Sequence, residues 1–311
     1  MSKDKHKVLN WNQYTSGLKN RGSITIWISE AAVSEWQSVR STGKRGRTRS
    51  YPDLAILTCL TVRKVYHLAL RQSEGFVRSF FKQLKISQRV PDYTTLCRRA
   101  KALAIELNLL NKGSVTDIAV DSTGLKVYGE GEWKVRKHGW NKYRTWMKLH
   151  IGIDTSSQQI AVSALTTHSV DDAEPVKTML GEVVKDNPVQ RFVADGAYDK
   201  EKVYKQLAEN KILPIIPSQH NAKKSKKNKP WLEGRDKTIE EINQWGKKEW
   251  KKRAGYHKRS LAETVMYRYK TIIGDKLKSR KLNNQSTETK ISCLILNKML
   301  LLAKPVSIKM A

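Results

Sequence analysis

Cysteine is scarce in this chain, and acidic residues are few. Cys59, Cys97 and Cys293 are the only cysteines among 311 residues, and they stand far apart. None has a CxxC partner or a histidine at zinc-site spacing, which argues against a disulfide framework and against a structural zinc. Isolated thiols in odd number fit a reducing, intracellular compartment. Long apolar runs are missing too. The longest, ISCLILNKMLLLA from Ile291, is broken by Asn297 and Lys298 and reads as a core helix, since a bilayer span needs about twenty apolar residues. The start, MSKDKHKVLNWNQ, has no signal-peptide hydrophobic region, so a cytoplasmic location is expected and a membrane partner is not. A GxxxxGK[ST] phosphate loop is also absent, so no nucleoside triphosphate is called for.

What is abundant is positive charge. Lys and Arg number 59 against 29 Asp and Glu, a formal net charge of +30. Such an excess repels itself in a compact state, and a polyanion is the usual partner that offsets it. Nucleic acid is therefore the first expectation. The length is enough for one large domain or two smaller ones with real cores.

Residues 1 to about 114 read mostly as helix. Ser29 can cap SEAAVSEWQSV, and PDLAILTCLTVRKVYHLALRQ is followed by SEGFVRSFFKQL, opening at Ser73 with Glu74 in its first turn. PDYTTLCRRAKALAIEL then places Pro91 and Asp92 before a helix bearing Arg98 and Arg99. Short helices ending in a basic, hydroxyl-rich one suit a helix-turn-helix; a helical cap with a solvated basic face is the alternative. Between them lies TGKRGRTRS, residues 42–50, where Arg45 and Arg47 sit on a piece that cannot fold alone. It is either a charged linker or an arm for a minor groove. It resembles the AT-hook, with Thr48 where that motif has proline.

From Ser114 the pattern changes to strands. SVTDIAVDSTGLKVY, TWMKLHIGIDT and QQIAVSALTTHS alternate apolar and polar residues with period two. The helical EPVKTMLGEVV, the strand RFVAD, the helix DKEKVYKQLAEN and the strand ILPIIP follow. A three-strand meander followed by αβαβ predicts a mixed α/β sheet with flanking helices, the order of the ribonuclease H-like fold. Residues 115–217 form its first part. Residues 218–254, with KKSKKNK, KKEWKKR, Trp231, Trp245 and Trp250, read as a basic insertion. Its tryptophans either stack on an unpaired base or form the insertion's own core. Residues 255–305 return to the core as C-terminal helices. The loop from Gly129, GEGEWKVRKHGWNKYRTWMK, carries Lys134 and Arg136, either as a solvated hairpin or as a DNA contact.

Two aspartates end apolar strands, Asp121 in TDIAVDSTG and Asp195 in RFVADGAYD. Each alone is an ordinary turn residue. At the carboxyl ends of sheet strands, however, they stand where open α/β sheets bind ligands. If the first and fourth strands are neighbours, the two lie side by side, and one takes up a proton unless a cation joins them. GYHKRSLAETVMYRYK supplies the rest: Tyr256, Arg259, Glu263 and Lys270 fall within about 60° of one another on a helix, while Leu261, Val265 and Ile272 face the other way. As a plain surface, Arg259 and Glu263 would be an i,i+4 pair. With Asp121 and Asp195 they make an all-oxygen carboxylate cluster with a cation beside it. That set suits Mg²⁺ or Mn²⁺, and two such ions can drive an in-line phosphoryl transfer. Arg259 would neutralise a phosphate or orient the carboxylate, Lys270 would hold the DNA backbone, and Tyr256 lies at the edge.

Other polar residues read as structural. Asp171 and Asp172 in HSVDDAEP are alternatives for the second metal carboxylate, but Asp171 and Glu174 have capping-box spacing with Pro175 in the first turn; Asp154 in GIDTSSQQ suits a hairpin turn. His168 lies at a strand end, and His138 and His150 have no metal-site partner at short spacing.

The order Asp121, Asp195, Glu263, with Tyr, Arg, Glu and Lys separated by two, three and six residues, resembles the signature of the DDE transposases of bacterial insertion sequences. WNQYTSGLKNRGSITIWI, GKRGR, PDYTTLCRRAK, DSTGLKVYGEGEW and FVADGAYD look like blocks of the insertion-sequence-five family. The resemblance implies that Asp121, Asp195 and Glu263 hold catalytic metals. It also implies that the helical domain reads terminal inverted repeats of double-stranded DNA, and that a homodimer or larger assembly pairs two ends in the bacterial nucleoid. A non-cleaving regulator derived from such a protein and a structure-specific nuclease are the alternatives.

Overall fold

A computed structural model of the chain describes residues 6–36, 51–107, 115–127, 146–225 and 229–310. These form two compact units, one of residues 1–105 with 294–311 and one of residues 106–293. No helix among the described residues is long and apolar enough to cross a membrane.

In the first unit the two ends of the chain pair, His6–Val8 running antiparallel to Ser307–Lys309. Helix α1 (Trp11–Asn20) lies against the end of the chain's last helix. A Cβ on Gly17 would stand 2.2 Å from the Leu302 carbonyl oxygen, so only glycine permits that approach. Arg21 follows, donating to the carbonyls of Met299 and Ala303 at 3.1 and 3.0 Å. These contacts explain why residues from Leu294 onward belong with the N-terminal unit and not with the sheet.

Three helices make the body of this unit: α2 (Asp53–Val65), α3 (Leu70–Gln83) and α4 (Tyr93–Ala100). The stretch from Pro52 to Gln72 is not one helix. The chain turns at His67, in the left-handed region at φ 54°, and α3 opens at Ala69, whose amide donates to Gln72 Oε1 at 2.9 Å. Ser73 is inside α3 and fully buried, not at its start. Two caps stand where the sequence puts them. Ser29 accepts from the Ala32 amide ahead of the short helix Glu30–Ser34. Asp92 accepts from the amides of Thr94 and Thr95, both at 2.9 Å; such a cap contributes about 1 kcal/mol. Glu74 on α3 accepts from the Tyr93 amide at 2.8 Å, and Arg99 on α4 pairs with Asp53 on α2. Ile56, Val62, Val77, Phe81 and Leu96 are buried between the helices with Trp36, each worth roughly 1.5–3 kcal/mol of apolar burial for side chains of this size.

The second unit is built on a six-stranded mixed sheet. Its strands are β1 (Asp117–Val127), β2 (Trp146–Asp154), β3 (Ile160–Thr167), β4 (Arg191–Val193), β5 (Leu213–Ile215) and β6 (Lys276–Leu277). The order is β3-β2-β1-β4-β5, with β6 also on β1. The first three strands are antiparallel neighbours, and β4, β5 and β6 run parallel to the strand each pairs with. This is the ribonuclease H-like arrangement that the meander and αβαβ order predict. Helices α5 (Val176–Val184) and α6 (Glu201–Glu209) supply Val176, Leu180, Val203 and Leu207 to a core with Ile118, Val120, Val162 and Phe192. The segment before α7 (Glu233–Arg253) stays out of the sheet but not out of the core. Leu232 is buried in that cluster and Trp231 packs against it. Trp250 is also buried, so these two tryptophans are packing residues.

The two parallel neighbours of β1 leave a gap on one edge. β4 covers Asp117 to Ala119, and β6 covers only Lys126 and Val127. Among the described residues no strand pairs with 120–125 there, over roughly 20 Å at a strand's rise per residue.

Candidate active site

Asp121 lies inside that gap. It follows the apolar run DIAV but does not end the strand: β1 runs on to Val127, within the alternation SVTDIAVDSTGLKVY, and Ser122 to Lys126 still pair with β2. What ends is the neighbouring strand: β4 stops at Val193, opposite Ala119. Asp195 follows two residues later and accepts from the Ala197 amide at 2.9 Å, capping a 3₁₀ turn over Gly196–Tyr198. The first and fourth strands are neighbours, which meets the condition for the two aspartates to lie close, Asp121 on β1 and Asp195 two residues past β4.

The stripe from Tyr256 to Lys270 is not one regular helix. Gly255, at φ 70°, turns the chain out of α7, which a residue with a Cβ adopts only with strain. A 3₁₀ turn, Tyr256–Arg259, leads into α8 (Ser260–Arg268), and a π-helical turn, Tyr269–Ile273, follows. These changes of pitch shift the buried face. Ala262, Val265, Met266, Tyr269 and Ile273 are buried, while Leu261 and Ile272 are only partly so. α8 packs on β1 and β2, which sets Glu263 over the gap. Lys270 is on the wide π turn, exposed.

One guanidinium joins the three carboxylates. Arg259 Nη1 pairs with Glu263, and Nη2 stands 3.5 Å from Asp121 Oδ2 and 3.6 Å from Asp195 Oδ2. Exposure rises outward, at 15% for the Asp121 side chain, 35% for Asp195 and 55% for Glu263. Burial accordingly dominates at Asp121. It pushes that carboxyl above the usual range, helped by the charges of Asp195 and Glu263, against the Ser122 amide and Arg259. Burial alone would draw Arg259 down, but its bond to Glu263 and the charge of Asp121 raise it. Tyr256 stands at the edge, half-buried, with its ring 6.0 Å from Trp250 and Lys251 Nζ 5.1 Å from its centroid. Burial raises its hydroxyl.

A second ion cluster anchors this segment. Asp117, buried at the start of β1, accepts from Arg191 Nε and Nη2 at 2.8 and 2.7 Å and from Lys258 Nζ at 2.7 Å. Lys258 is the residue before Arg259, so the 3₁₀ turn is tied to the sheet directly beneath the site. Sequence reasoning missed it. Asp117 and Lys258 are 141 positions apart, and no local pattern links them.

Asp171 and Asp172, the other candidates for the second metal carboxylate, are both engaged in internal contacts. Asp171 does not cap α5, which begins after Pro175. It accepts from the Ala173 amide and pairs with Lys200. Asp172 turns to the sheet, accepting from Ser122 Oγ at 3.1 Å and Lys148 Nζ at 3.3 Å. His150 is fully buried beside them, its Nε2 2.8 Å from Thr166 Oγ1. Burial pulls its imidazole down to about 4. Asp154 makes the expected turn, accepting from the amides of Ser156 and Ser157.

In the first unit, Arg98 is exposed. Arg99 is engaged internally with Asp53 and the Tyr51 carbonyl. Arg45, Arg47, Lys134 and Arg136 lie outside the described residues, with the arm 42–50 and most of the loop from Gly129.

Two family descriptions match this chain. Residues 19–130 match one family described as a transposase DDE domain, and residues 114–298 match another of the same description. Among solved structures, the chain is similar to the piggyBac transposase in a synaptic complex with hairpin DNA, solved by cryo-electron microscopy. That match has 13% identity and a TM-score of 0.41, over 96% of this chain and 77% of that one. The second family match alone spans more than half of the 311 residues and includes Asp121, Asp195 and Glu263. On that extent of agreement, the chain belongs to the transposase DDE-domain family.

Proposed function

We propose that this transposase binds the terminal inverted repeats of its own insertion sequence, of the insertion-sequence-five kind, cuts DNA at the element's ends and joins them to target DNA. The observation that carries the reading is the meeting of Asp121, Asp195 and Glu263 on Arg259. Three carboxylates facing a polyanion would repel it unless they share a cation. Their donors are all oxygen, which suits Mg²⁺, with Mn²⁺ as a substitute. A guanidinium already supplies positive charge at their centre, so the charge and chemistry of the trio fit one or two divalent ions. When bound, such ions activate the attacking oxygen and stabilise the leaving oxygen of an in-line displacement.

The chain's own residues would do the positioning. The amides of Ser122 and Ala197 each hold one oxygen of Asp121 and Asp195, which leaves the Oδ2 atoms for a shared cation. Arg259 and Lys270 carry charge suited to phosphates, and the Tyr256 ring borders the site. Arg98 on α4, together with Arg45, Arg47, Lys134 and Arg136, would contact DNA. In this reading residues 1–114 recognise the ends, while residues 115–217 and 255–305 carry the chemistry around the basic segment 218–254. Pairing two ends calls for a homodimer or a larger assembly on DNA at the nucleoid.

The test uses the gene's flanking DNA with Mg²⁺, comparing the native protein with Glu263→Gln. End cleavage and strand joining should fall by at least about a hundredfold in the variant, with binding retained. Binding by both proteins without cleavage would favour a regulator. Cleavage without joining would favour a nuclease.

A further inference from the structure

Arg259 stands in an unusual place for a residue meant only to face DNA. Its Nη2 is between the two aspartates, at 3.5 and 3.6 Å, while Nη1 holds Glu263. We infer that Arg259 is the internal counter-cation of the metal-free site, and that a divalent ion entering between Asp121 and Asp195 must displace it. The inference rests on the reading of the trio as cation ligands. It adds that arginine and metal hold the two aspartates in turn and not together.

Four observations support the exchange. Both contacts of Nη2 are at the long end for an ion pair, as expected for one nitrogen shared between two acceptors. Arg259 Nε is buried without a hydrogen-bond partner, so this resting position is poorly satisfied and costs free energy. Among the described residues, no three His, Cys, Asp or Glu side chains come close enough together to hold a metal. The three carboxylates gathered on Arg259 are thus not assembled as a metal site with the guanidinium in place. Finally, one unit of positive charge faces three carboxylates, so a divalent ion is the better match. The Lys258–Asp117 bond at 2.7 Å fixes the backbone beside Arg259, so the exchange is a side-chain movement.

The experiment titrates Mn²⁺ into the full-length native protein, Arg259→Met, Arg259→Lys and Lys270→Met. Affinity is read by calorimetry, and Tm is measured with and without Mn²⁺. Removing the competitor should tighten Mn²⁺ binding by about tenfold or more, within the usual range of site-to-site coupling. The metal-free Tm should fall, and Mn²⁺ should raise it by more than in the native protein. Arg259→Lys, which cannot span both aspartates and Glu263, should bind with intermediate affinity. It also decides the matter if Arg259→Met does not fold. Lys270→Met removes the same charge from the far end of the segment and should bind as the native protein does. Equal or weaker binding in the Arg259 variants overturns the exchange, as does equal tightening in Lys270→Met. If neither the native protein nor any variant binds Mn²⁺, the reading of the trio fails, and the exchange fails with it.

Discussion

Lys258 Nζ reaches Asp117 Oδ2 at 2.7 Å across 141 positions of sequence. The bond fastens a one-turn 3₁₀ segment to the first residue of β1, and the next residue along that segment is Arg259. Its role is placement more than stability, because Asp117 keeps both bonds from Arg191. Lys258→Met should cost only about 1 kcal/mol in urea unfolding, yet reduce end cleavage by roughly tenfold or more through the loosened turn. Unchanged cleavage with lowered stability would assign Lys258 to the fold alone.

Acid should weaken the fold through His150. Its imidazole takes a proton near 6.5 when unfolded, but only at about 4 when buried. The folded-state value is depressed, so the contribution is fully present above 6.5 and is lost as pH falls from there towards 4. Over that window the loss is up to roughly 3 kcal/mol. Unfolding free energies of the native protein and His150→Gln between pH 7 and 4 should therefore differ in slope. Parallel curves would show that His150 is not held neutral.

Arg98 and Arg99 are neighbours in sequence with opposite expectations. Arg98 is exposed, whereas Arg99 ties α4 to Asp53 and Tyr51. Arg98→Ala should shallow the salt dependence of DNA binding by about one unit of slope and leave Tm in place. Arg99→Ala should leave that slope alone and cost about 1 kcal/mol of stability. Fluorescence anisotropy across a salt series, with melting curves, separates the two.

The thiols give a direct check of burial. Cys59 and Cys293 are buried, and burial pushes both up to about 12, while Cys97 on α4 is exposed. A thiol reagent at pH 8 should label one cysteine of the native protein quickly and the other two only after unfolding. Because Cys97 shares α4 with Arg98, a bulky label there should also weaken end binding. Labelling that leaves DNA affinity unchanged would move the recognition surface elsewhere.

Much of the sheet is written in local alternation. DIAV, LHIGID and IAVSAL place every strand of the meander, and Asp195 announces itself by the Gly196 that follows. At Asp121 the run of apolar residues stops after Val120, although the strand itself goes on to Val127. Period two records which face a residue takes, not where the neighbouring strand stops, and that stop is what opens the site. The break at His67 was hidden because neither glycine nor proline marks it. The changes of pitch at Tyr256–Arg259 and Tyr269–Ile273 come from packing against the sheet, so Lys270 could be placed in line with Glu263 only by assuming a regular helix. Asp172, Lys258 and Asp117 carry no pattern of their own, since their partners come from distant parts of the chain.

The gap on β1 is also an unpaired sheet edge, and such edges recruit strands from other molecules. Among the described residues no strand covers 120–125 there, and the charges of Asp121, Asp195, Glu263 and Arg259 stand at the opening. The groups proposed to cut DNA therefore double as gatekeepers against self-association. Variants that neutralise all three acids should come out of solution more readily than single ones.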